Sequence, residues 1–582
     1  MSADERVRFR FEGRDVEAAP GMSLAAALAA AGEYGLRSVD GDESRGVFCG
    51  IGVCQECVVE VAGRGRVRAC MTAVEDSIVV QRSGRLASVS AAADTAPGVP
   101  APDVIKPDVL IIGGGAAGLT AAASLAGSDV DVVVLDERSA AGGQYYKQPI
   151  SPERLHRSLT DDEQIREGSA LLERARDSGA RILSRSEIWG AFAPQEFVAI
   201  VNGATMQIRP KRTIVAAGAY ERGLPLPGWT LPGVMTSGAA QTMLKSNGEI
   251  PGHRVLICGN GPLNIQIAAE LSRAGAEVVA VTELAPSPFT RVAAAMGMFA
   301  GDPALSLRGL GSLHALRRGG IRVLFKHGLH SVERAGNGLK AWIGGLDGAK
   351  VRRDKDFDVD VVCTGFGFQP NNEILRSLEC RHDFDRARGQ LTAVRNDDCE
   401  TSVSGVYAIG DCCGLGGAPA AREEGIIAAA AVLRSLSANV PAALAAEETR
   451  ARNRLQKHRR FQRGLWRMFD APRLQSELAD DATVICRCES VRLADVRDAI
   501  TAGDVSIGAI KRRTRLGMGA CQGRYCAPVA ANMLAAHTGQ EINEYSFFAP
   551  RVPFKPTPIS SIVGMASDDR DEHHADGGRH QE

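Results

Sequence analysis

The first residues of the chain alternate between hydrophobic and polar side chains. Residues 7–16 alternate well enough to predict two short strands that turn at Gly13. The period then changes to that of a helix, which Ser23 caps and which runs through alanines and leucines to Ala31. The pattern therefore predicts a small unit in which two strands precede one helix.

Further along the chain, apolar runs alternate with helical periods. Residues 108–112 are a short apolar run that enters a glycine-rich turn, and a helical period over about 117–125 leads to a second apolar run at 130–135. A similar unit recurs at 254–283. More apolar strands are predicted at 213–217, 359–364 and 406–409. This alternation is typical of α/β sheets packed by helices, and it predicts two nucleotide-binding folds.

Three stretches differ from this pattern. Residues 83–106 are rich in Ala, Ser and Pro, have little to bury, and are predicted to be a linker. Residues 449–473 are strongly basic, which indicates either a solvated helix face or a surface that docks on an acidic partner. The charged, His-containing tail after Ala566 is predicted to be disordered.

The boundaries between these patterns divide the chain into domains. We predict a cysteine-containing domain at 1–82, a linker at 83–106, a first nucleotide-binding domain at 107–228 and 359–440, a second nucleotide-binding-like domain at 229–358, a basic helical connector at 441–479, a second cysteine-containing domain at 480–540 and a C-terminal arm with its tail at 541–582. At about 150 residues per domain, the length of 582 residues also indicates roughly four folding units.

Composition and charge exclude several classes of protein. Hydrophobic residues make up 45% and charged residues 24%, as in an ordinary folded protein rather than a disordered or collagen-like chain. Because 68 Lys and Arg nearly balance 69 Asp and Glu, the overall charge predicts no nucleic-acid partner. No apolar run reaches the ~20 residues of a membrane helix, and no convincing secretion signal is present. We therefore expect a cytoplasmic protein, with peripheral contact at the inner face of a membrane left open.

A dinucleotide-binding signature follows the strand at 108–112. Gly113, Gly115 and Gly118 form a GxGxxG pattern that opens a helix, where glycines let the backbone approach a pyrophosphate at the helix N-terminus. Asp136 and its neighbour Glu137 end the next strand, 18 residues after Gly118, and either can accept hydrogen bonds from a ribose.

Three later segments resemble those of two-dinucleotide flavoproteins and specify FAD. The resemblance implies that Gly142, Gly143 and Gln144 form a second pyrophosphate-contacting loop. It implies that residues 213–218, which end at Gly218, form the strand crossing between the two halves. The segment GVYAIGDCCG resembles the late strand of these proteins, and implies that Gly410 and Asp411 meet the ribityl chain of the flavin.

The second nucleotide-binding unit departs from the pattern. Gly259 and Gly261 are in place, but Asn264 stands where a third glycine would give access to the pyrophosphate of a nicotinamide cofactor. This half therefore either binds an adenine nucleotide in another way or is a structural remnant. No Cys-x-x-Cys or Cys-x4-Cys pair follows the FAD turn, so thiol–disulfide chemistry is not expected.

Eight of the 14 cysteines form two groups with short spacings, which indicates metal ligation rather than disulfides. Cys49, Cys54, Cys57 and Cys70 have the C-x4-C-x2-C…C order of plant-type [2Fe–2S] sites. Structural zinc is the alternative, but its ligands usually come as two short pairs.

The second cysteine group has a different spacing. It is formed by Cys486, Cys488, Cys521 and Cys526. The gap of one residue is cramped for a zinc knuckle, but it can place two thiolates on one iron. The surrounding sequence, ICRCESV and later GACQGRYC, resembles the [2Fe–2S] domain of bacterioferritin-associated ferredoxins. We therefore predict a second [2Fe–2S] cluster.

A two-electron flavin beside two one-electron clusters suits the splitting of electron pairs and the forwarding of single electrons. The order of the motifs resembles the flavin-bearing subunit of heteromeric amino-acid and opine dehydrogenases. That family includes the A subunit of opine oxidase, the subunits of hydrogen cyanide synthase, the alpha subunits of hydroxyproline and proline dehydrogenases and, more distantly, sarcosine oxidase alpha. In this chain the ferredoxin-like part is fused to the flavoprotein.

The resemblance implies a heteromeric complex. A FAD-dependent beta subunit would oxidise the C–N bond of an opine, imino or amino acid, and this chain would relay electrons to an acceptor such as a quinone or a respiratory-chain component. The resemblance also allows an FMN at a subunit interface, and no substrate-oxidising residues can be named in this chain. An NAD(P)H-dependent FAD/iron–sulfur reductase and a noncatalytic redox sensor remain alternatives.

Together these inferences predict an α/β multidomain fold. Its parts are an N-terminal β-grasp ferredoxin-like domain, a two-dinucleotide-binding, Rossmann-like FAD core and a small helical C-terminal [2Fe–2S] domain.

Overall fold

The computed structural model describes residues 6–39, 43–84 and 102–566. Most of the predicted linker at 83–106 lies outside these described residues, as does the predicted tail after Ala566.

The helices and strands follow one another in chain order. The first are β1 Val7–Phe11, β2 Arg14–Ala18, α1 Leu24–Ala30, β3 Arg37–Ser38, β4 Ser44–Arg45, β5 Val58–Val61, β6 Gly65–Arg68 and β7 Val79–Arg82. Next come β8 Asp103–Ile105, β9 Val109–Ile112, α2 Ala116–Ser124, β10 Val132–Leu135, α3 Glu163–Asp177, β11 Arg181–Leu183, β12 Ser186–Ala193, β13 Glu196–Val201, β14 Ala204–Ile208, β15 Arg212–Val215 and β16 Ala219–Glu221.

The second nucleotide-binding-like part begins at β17. Its elements are β17 Val234–Thr236, α4 Ser237–Asn247, β18 Arg254–Gly259, α5 Pro262–Arg273, β19 Glu277–Glu283, α6 Val292–Gly301, α7 Pro303–Arg318, β20 Val323–Phe325, β21 His327–Ala335, β22 Gly338–Asp347, β23 Lys350–Val351, β24 Lys355–Val359 and β25 Val361–Gly365. The chain ends with β26 Phe368–Pro370, α8 Glu373–Ser377, β27 His382–Asp385, β28 Gln390–Ala393, β29 Val406–Ala408, α9 Gly417–Ser435, α10 Ala442–Met468, β30 Val484–Cys486, β31 Val491–Arg492, α11 Leu493–Thr501, α12 Ile507–Thr514, α13 Ala527–Thr538 and α14 Ile559–Ala566.

The N-terminal part is a mixed five-stranded sheet with strand order β2-β1-β7-β5-β6. Strands β1 and β2 form an antiparallel hairpin, and Gly13 in its turn has a φ of 77°, which a glycine adopts without strain. Helix α1 packs beside the sheet and begins after Ser23, whose side chain accepts a hydrogen bond from the Ala26 amide. The predicted hairpin and the predicted helix cap are both confirmed.

Two parallel five-stranded sheets form the centre of the molecule. The first has the order β11-β10-β9-β15-β29 and the second the order β17-β25-β18-β19-β20. In each sheet a central strand, β9 or β18, leads through a glycine-rich turn into a helix, α2 or α5. Because ligands bind at the carboxyl ends of such strands, both turns lie where a nucleotide is expected. The predicted pair of nucleotide-binding folds is confirmed.

Most of the basic stretch lies in the long helix α10, which ends at Met468, and much of its charge pairs inside the chain. Arg454 donates to Glu423 at 2.7 and 2.9 Å, and Arg452 donates to Glu448. Phe461, on the same helix, is buried against α6. The stretch is therefore neither wholly solvated nor wholly available to a partner.

Continuous apolar packing joins the parts of the molecule. One buried cluster contains side chains of the N-terminal sheet together with α4, β18 and α5. Another contains Cys49 and Cys54 together with Trp229, Cys521 and Tyr525. Over the ranges that the structure describes, no helix is both long enough and apolar enough to cross a membrane.

Candidate functional site

A cavity of about 990 Å³ lies at the carboxyl ends of the strands of the first parallel sheet. Nine of the residues predicted for FAD line it, namely Gly113, Gly115, Asp136, Glu137, Gly143, Gln144, Gly218, Gly410 and Asp411. Gly118 lies in the first turn of helix α2 and Gly142 in the adjoining loop, whereas Gly259 and Gly261 belong to the second nucleotide-binding unit. Four segments that are distant in the sequence thus meet around one space.

The two predicted pyrophosphate loops touch each other. A Cβ atom on Gly143, whose φ is 67°, would lie 2.7 Å from the Cα of Gly115. A Cβ atom on Gly118 would lie 1.9 Å from the carbonyl oxygen of Gly113, so this glycine lets helix α2 approach strand β9. The glycines therefore leave a backbone-lined cradle at the start of α2, which suits a pyrophosphate.

The two acidic groups at the end of β10 have different partners. Asp136 is buried, and its two oxygens accept hydrogen bonds from the Gly114 and Arg138 amides, each at 2.8 Å. Burial raises the pKa of Asp136. Glu137 pairs with Lys555 from the C-terminal arm; although burial acts in the opposite direction, this ammonium holds the pKa of Glu137 below its usual value.

Arg138 supplies a cation that the sequence motifs do not indicate. Its side chain lines the cavity and donates to the Gly143 carbonyl oxygen at 3.2 Å. Its Nη2 is buried and has no hydrogen-bond partner among the described residues. An unpartnered buried guanidinium nitrogen is costly unless an anion accepts from it, so the donor set beside the glycine turns fits a dinucleotide.

A second polar group lines the cavity beside the Gly143–Gln144 loop. Lys147 is buried and its Nζ donates to the Gln144 carbonyl at 2.7 Å and to Gln241 Oε1 at 2.9 Å. Burial, together with the nearby charges of Arg138 and Lys245, lowers the pKa of Lys147 well below its usual value.

Glu221 is an acid in the same wall. One oxygen accepts from the Gly238 amide at 2.7 Å, whereas the other is buried without a partner among the described residues. Burial raises the pKa of Glu221 to about 7. Neither Lys147 nor Glu221 belongs to a short motif, so sequence reasoning misses both.

Asp411 lines the cavity just before the start of α9. Its Oδ1 accepts from the Gly416 and Gly417 amides at 2.9 and 2.8 Å, which fixes the carboxyl group at the N-terminus of that helix. Burial raises its pKa. The adjacent Cys412 thiol donates to the Ile409 carbonyl oxygen at 3.2 Å, which is a packing role.

The second nucleotide-binding turn lacks hydrogen-bond donors that a pyrophosphate would need. Asn264 is buried; its Nδ2 donates to the Gly365 carbonyl oxygen at 2.8 Å and its Oδ1 accepts from Ser237 at 2.8 Å. Pro262 removes an amide donor at the first turn of α5. Glu283 accepts from the Gly261 amide at 2.9 Å, and its burial raises its pKa to about 7.

The sulfur atoms of the first cysteine group lie together. The Cys49 thiol is within hydrogen-bonding reach of Cys54 and Cys70, and Cys70 is within reach of Cys57. Although burial opposes it, these neighbours and the Ile51 amide hold the pKa of Cys49 well below its usual value. Cys49 also lines the cavity, so this cysteine group adjoins the predicted FAD site.

The second cysteine group is also assembled. Its thiols pair as Cys486 with Cys526 and as Cys488 with Cys521. The closest pairs thus form between the early and the late motif rather than within the Cys-x-Cys motif. Arg524 donates to the Cys521 carbonyl oxygen at 3.0 Å and also lines the cavity.

All 14 cysteines lie in the described ranges as free thiols. In those ranges, no group of three or more His, Cys, Asp or Glu side chains surrounds a single metal position. A structural zinc needs four ligands on one ion, whereas four cysteines suffice for both irons of a [2Fe–2S] cluster. Each cysteine group supplies the four thiols that a [2Fe–2S] cluster needs.

The sequence matches three protein-family profiles. Residues 107–425 match the pyridine nucleotide-disulphide oxidoreductase family, residues 4–85 a 2Fe-2S iron-sulfur cluster binding domain, and residues 481–565 the sarcosine oxidase A3 domain.

Several characterised proteins are similar over most of their length. Hydrogen cyanide synthase subunit HcnB of Pseudomonas aeruginosa is 32% identical over 79% of this chain and 99% of its own. The A subunit of opine oxidase from Agrobacterium tumefaciens is 32% identical over 79% of this chain and 92% of its own. Among solved structures, L-proline dehydrogenase from P. horikoshii shares the fold, with a TM-score of 0.70 and 20% identity over 96% of this chain and 97% of its own.

Proposed function

The chain belongs to the oxidoreductase family that includes hydrogen cyanide synthase subunit HcnB and the A subunit of opine oxidase, and we propose that it is the electron-relay subunit of such a complex. It is an FAD-dependent oxidoreductase with a [2Fe–2S] domain. The single observation that carries the relay proposal is that Cys49 of the first cysteine group lines the same cavity as the FAD-binding motifs.

When bound, FAD supplies chemistry that no side chain has, because it takes up electrons in pairs and releases them one at a time. The turns of Gly113 and Gly143, with the unpartnered Nη2 of Arg138, would hold its pyrophosphate. Asp136 and Glu137 would hold the ribose, because both line the cavity at the end of β10 and a carboxylate oxygen that accepts from one group can accept from a second. Asp411 would hold the ribityl chain.

Three side chains would tune the remainder of this site. Lys147, whose pKa is well below its usual value, would donate a hydrogen bond towards negative charge that arises in the cavity, and Glu221 would hold or release a proton near neutral pH. Ile51 brings the first cysteine loop to the cavity wall and excludes water between the two.

Two [2Fe–2S] clusters follow in the relay, the first on Cys49, Cys54, Cys57 and Cys70, the second on Cys486, Cys488, Cys521 and Cys526. A partner subunit with its own FAD oxidises the C–N bond of an opine, imino or amino acid, and a quinone or respiratory-chain component accepts the electrons. An FMN at the subunit interface and peripheral contact with the inner face of the membrane, in a cytoplasmic complex, complete the proposal.

The second candidate function is an NAD(P)H-dependent reductase, which the intact pair of parallel sheets favours. The turn at Gly259 and Gly261 counts against it, because Asn264 anchors the Gly365 carbonyl where the third glycine would be and Pro262 provides no amide. We propose that this half is either structural or holds an adenine nucleotide that takes no part in electron transfer.

Mixing the chain anaerobically with NADH or NADPH distinguishes the two functions. We expect the absorbance of the oxidised flavin to stay unchanged, because the second turn lacks the donors for a nicotinamide pyrophosphate. Dithionite, as the control, should bleach the same sample. Rapid bleaching by either nicotinamide would favour the reductase and overturn the relay.

The substrate is found through the partner. Purification of the chain together with its co-expressed partner should give a complex that reduces a dye with one compound among opines, proline derivatives, glycine and N-methyl amino acids. Turnover by this chain alone with any of them would contradict the division of labour.

A further inference from the structure

A buried ion pair joins the two cysteine loops. Glu56 lies between Cys54 and Cys57, and Arg487 lies between Cys486 and Cys488. Arg487 Nε donates to Glu56 Oε2 at 3.2 Å, although the two residues are far apart in the sequence. The exposed fractions of Arg487 and Glu56 are 4% and 0%. Glu56, inside the first cysteine motif, is thus hydrogen-bonded to Arg487, inside the second cysteine motif.

Two more arginines complete this junction. Arg37 donates to Glu56 Oε1 at 2.6 Å and to the Arg487 carbonyl oxygen at 3.4 Å. Arg45 Nε lies 3.9 Å from Glu56 Oε2, and its Nη1 donates to Glu43 at 3.0 Å. Three guanidinium groups therefore share two carboxylates, which leaves positive charge in a buried place.

Some of these cations have donors to spare. Arg37 Nε and Arg45 Nη2 are buried and have no hydrogen-bond partner among the described residues. Although burial acts in the opposite direction, Glu56 and then Cys488 and Cys54 keep the pKa of Arg37 above its usual value. Arg37 is thus close to a thiol of each group. Surplus buried cations are stable only near anions, and thiolate-bound clusters are anionic.

Aromatic rings pack around the junction. The Arg487 guanidinium lies 4.0 Å from the ring centroid of Phe48 and 4.7 Å from that of Trp229. The Tyr525 ring packs edge-on against Phe48 at 5.3 Å. Phe48 precedes Cys49 and Tyr525 precedes Cys526, so ligand loops of both groups are held by direct contact.

We propose that Glu56, Arg37 and Arg487 position the two [2Fe–2S] clusters side by side, so that the N-terminal cluster passes electrons directly to the C-terminal cluster. This inference rests on the proposed function. One electron leaves the reduced N-terminal cluster and enters the oxidised C-terminal cluster, while no bond breaks and no proton moves; the flavin supplies the electron. The order follows from the cavity, which Cys49 lines and which, among the described residues, no cysteine of the second group reaches.

Arg37 and Arg487 also influence the reduction potentials of both clusters at once. A reduced cluster carries one more negative charge than an oxidised one, so positive charge between the clusters stabilises both reduced states. A simple staple between domains would instead affect folding and leave the potentials unchanged. The Glu56–Arg487 pair therefore positions the clusters, and the reduction potentials of the clusters report its electrostatic effect.

The test is electron paramagnetic resonance of the dithionite-reduced full chain, with iron counted on the same samples. We expect two cluster signals that broaden or split each other, and one simple signal in Cys521→Ser, which keeps only the N-terminal cluster. Two sharp, independent signals in a chain that holds both clusters would overturn the inference. An iron content of one cluster would instead overturn the proposed function.

Arg487 variants test the electrostatic part. Arg487→Gln should keep FAD and iron but lower the potentials of both clusters, and Arg487→Lys should restore them. Arg497→Gln is the matched control, because Arg497 is an exposed arginine of the same domain, paired with Asp481. Unchanged potentials in Arg487→Gln would contradict the positioning role. If that variant fails to fold, the paramagnetic resonance signals of the unaltered chain still decide whether the two clusters lie side by side.

Discussion

Replacing Cys521 by serine should remove the C-terminal cluster and leave FAD and the N-terminal cluster in place. Cys521 pairs with Cys488. The hydrogen bond with Cys488 is the main cause that lowers the pKa of Cys521 to about 7, although burial acts in the opposite direction. A thiolate is therefore readily formed at this position, and a hydroxyl is a poor substitute as an iron ligand. Iron and acid-labile sulfide should fall from about four to about two per chain, with the flavin content unchanged.

Cys380→Ser is a matched control for that substitution. Cys380 is also buried, but its thiol donates to Thr401 Oγ1 at 3.4 Å and a hydroxyl can replace it. This variant should keep all of the iron. Unchanged iron and an unchanged cluster signal in Cys521→Ser would show that the second cysteine group holds no cluster.

Replacing Gly143 by valine should greatly weaken FAD binding. The residue has a φ of 67°, which a β-branched residue adopts only with strain, and its Cβ would lie 2.7 Å from the Cα of Gly115. The two loops would have to separate, and Arg138 would lose its contact with the Gly143 carbonyl. We expect the affinity for FAD to fall at least about a hundredfold, which is roughly 3 kcal/mol.

Gly127→Val is the matched control, because it introduces backbone strain at a positive φ without a steric clash. Gly127 has a φ of 73° in the same part of the fold, but a Cβ there would meet no atom within 4 Å. This variant should bind FAD as the unaltered chain does, although it is less stable. Flavin bound per chain, measured after gel filtration, checks both variants; full occupancy in Gly143→Val would contradict the placement of FAD.

The elements that were predicted correctly depend on local signals. Alternation over 7–16, the cap at Ser23 and the glycine turns at Gly113 and Gly259 specify their own hydrogen bonds, so the hairpin and both β–α–β units follow from the sequence. The difference between Asp136 and Glu137 does not follow from the sequence, because both residues are acidic. Only the geometry of the turn shows that its backbone amides donate to Asp136.

The remaining features depend on contacts between distant segments. Glu56 and Arg487 meet because two domains pack together, and no periodicity or spacing encodes that meeting. Lys555 reaches Glu137 from the C-terminal arm for the same reason. The basic stretch was the least predictable, since Arg454 is neutralised by Glu423 of α9 and Arg452 by Glu448 of α10 itself.

The central claim is that one chain carries FAD and two [2Fe–2S] clusters as a single relay. Anaerobic titration with dithionite, followed by absorbance, tests it most directly. The account predicts an uptake of about four electrons per chain, about two by the flavin and about one by each cluster. An uptake of only about two or three electrons in a chain with full flavin and iron would contradict it.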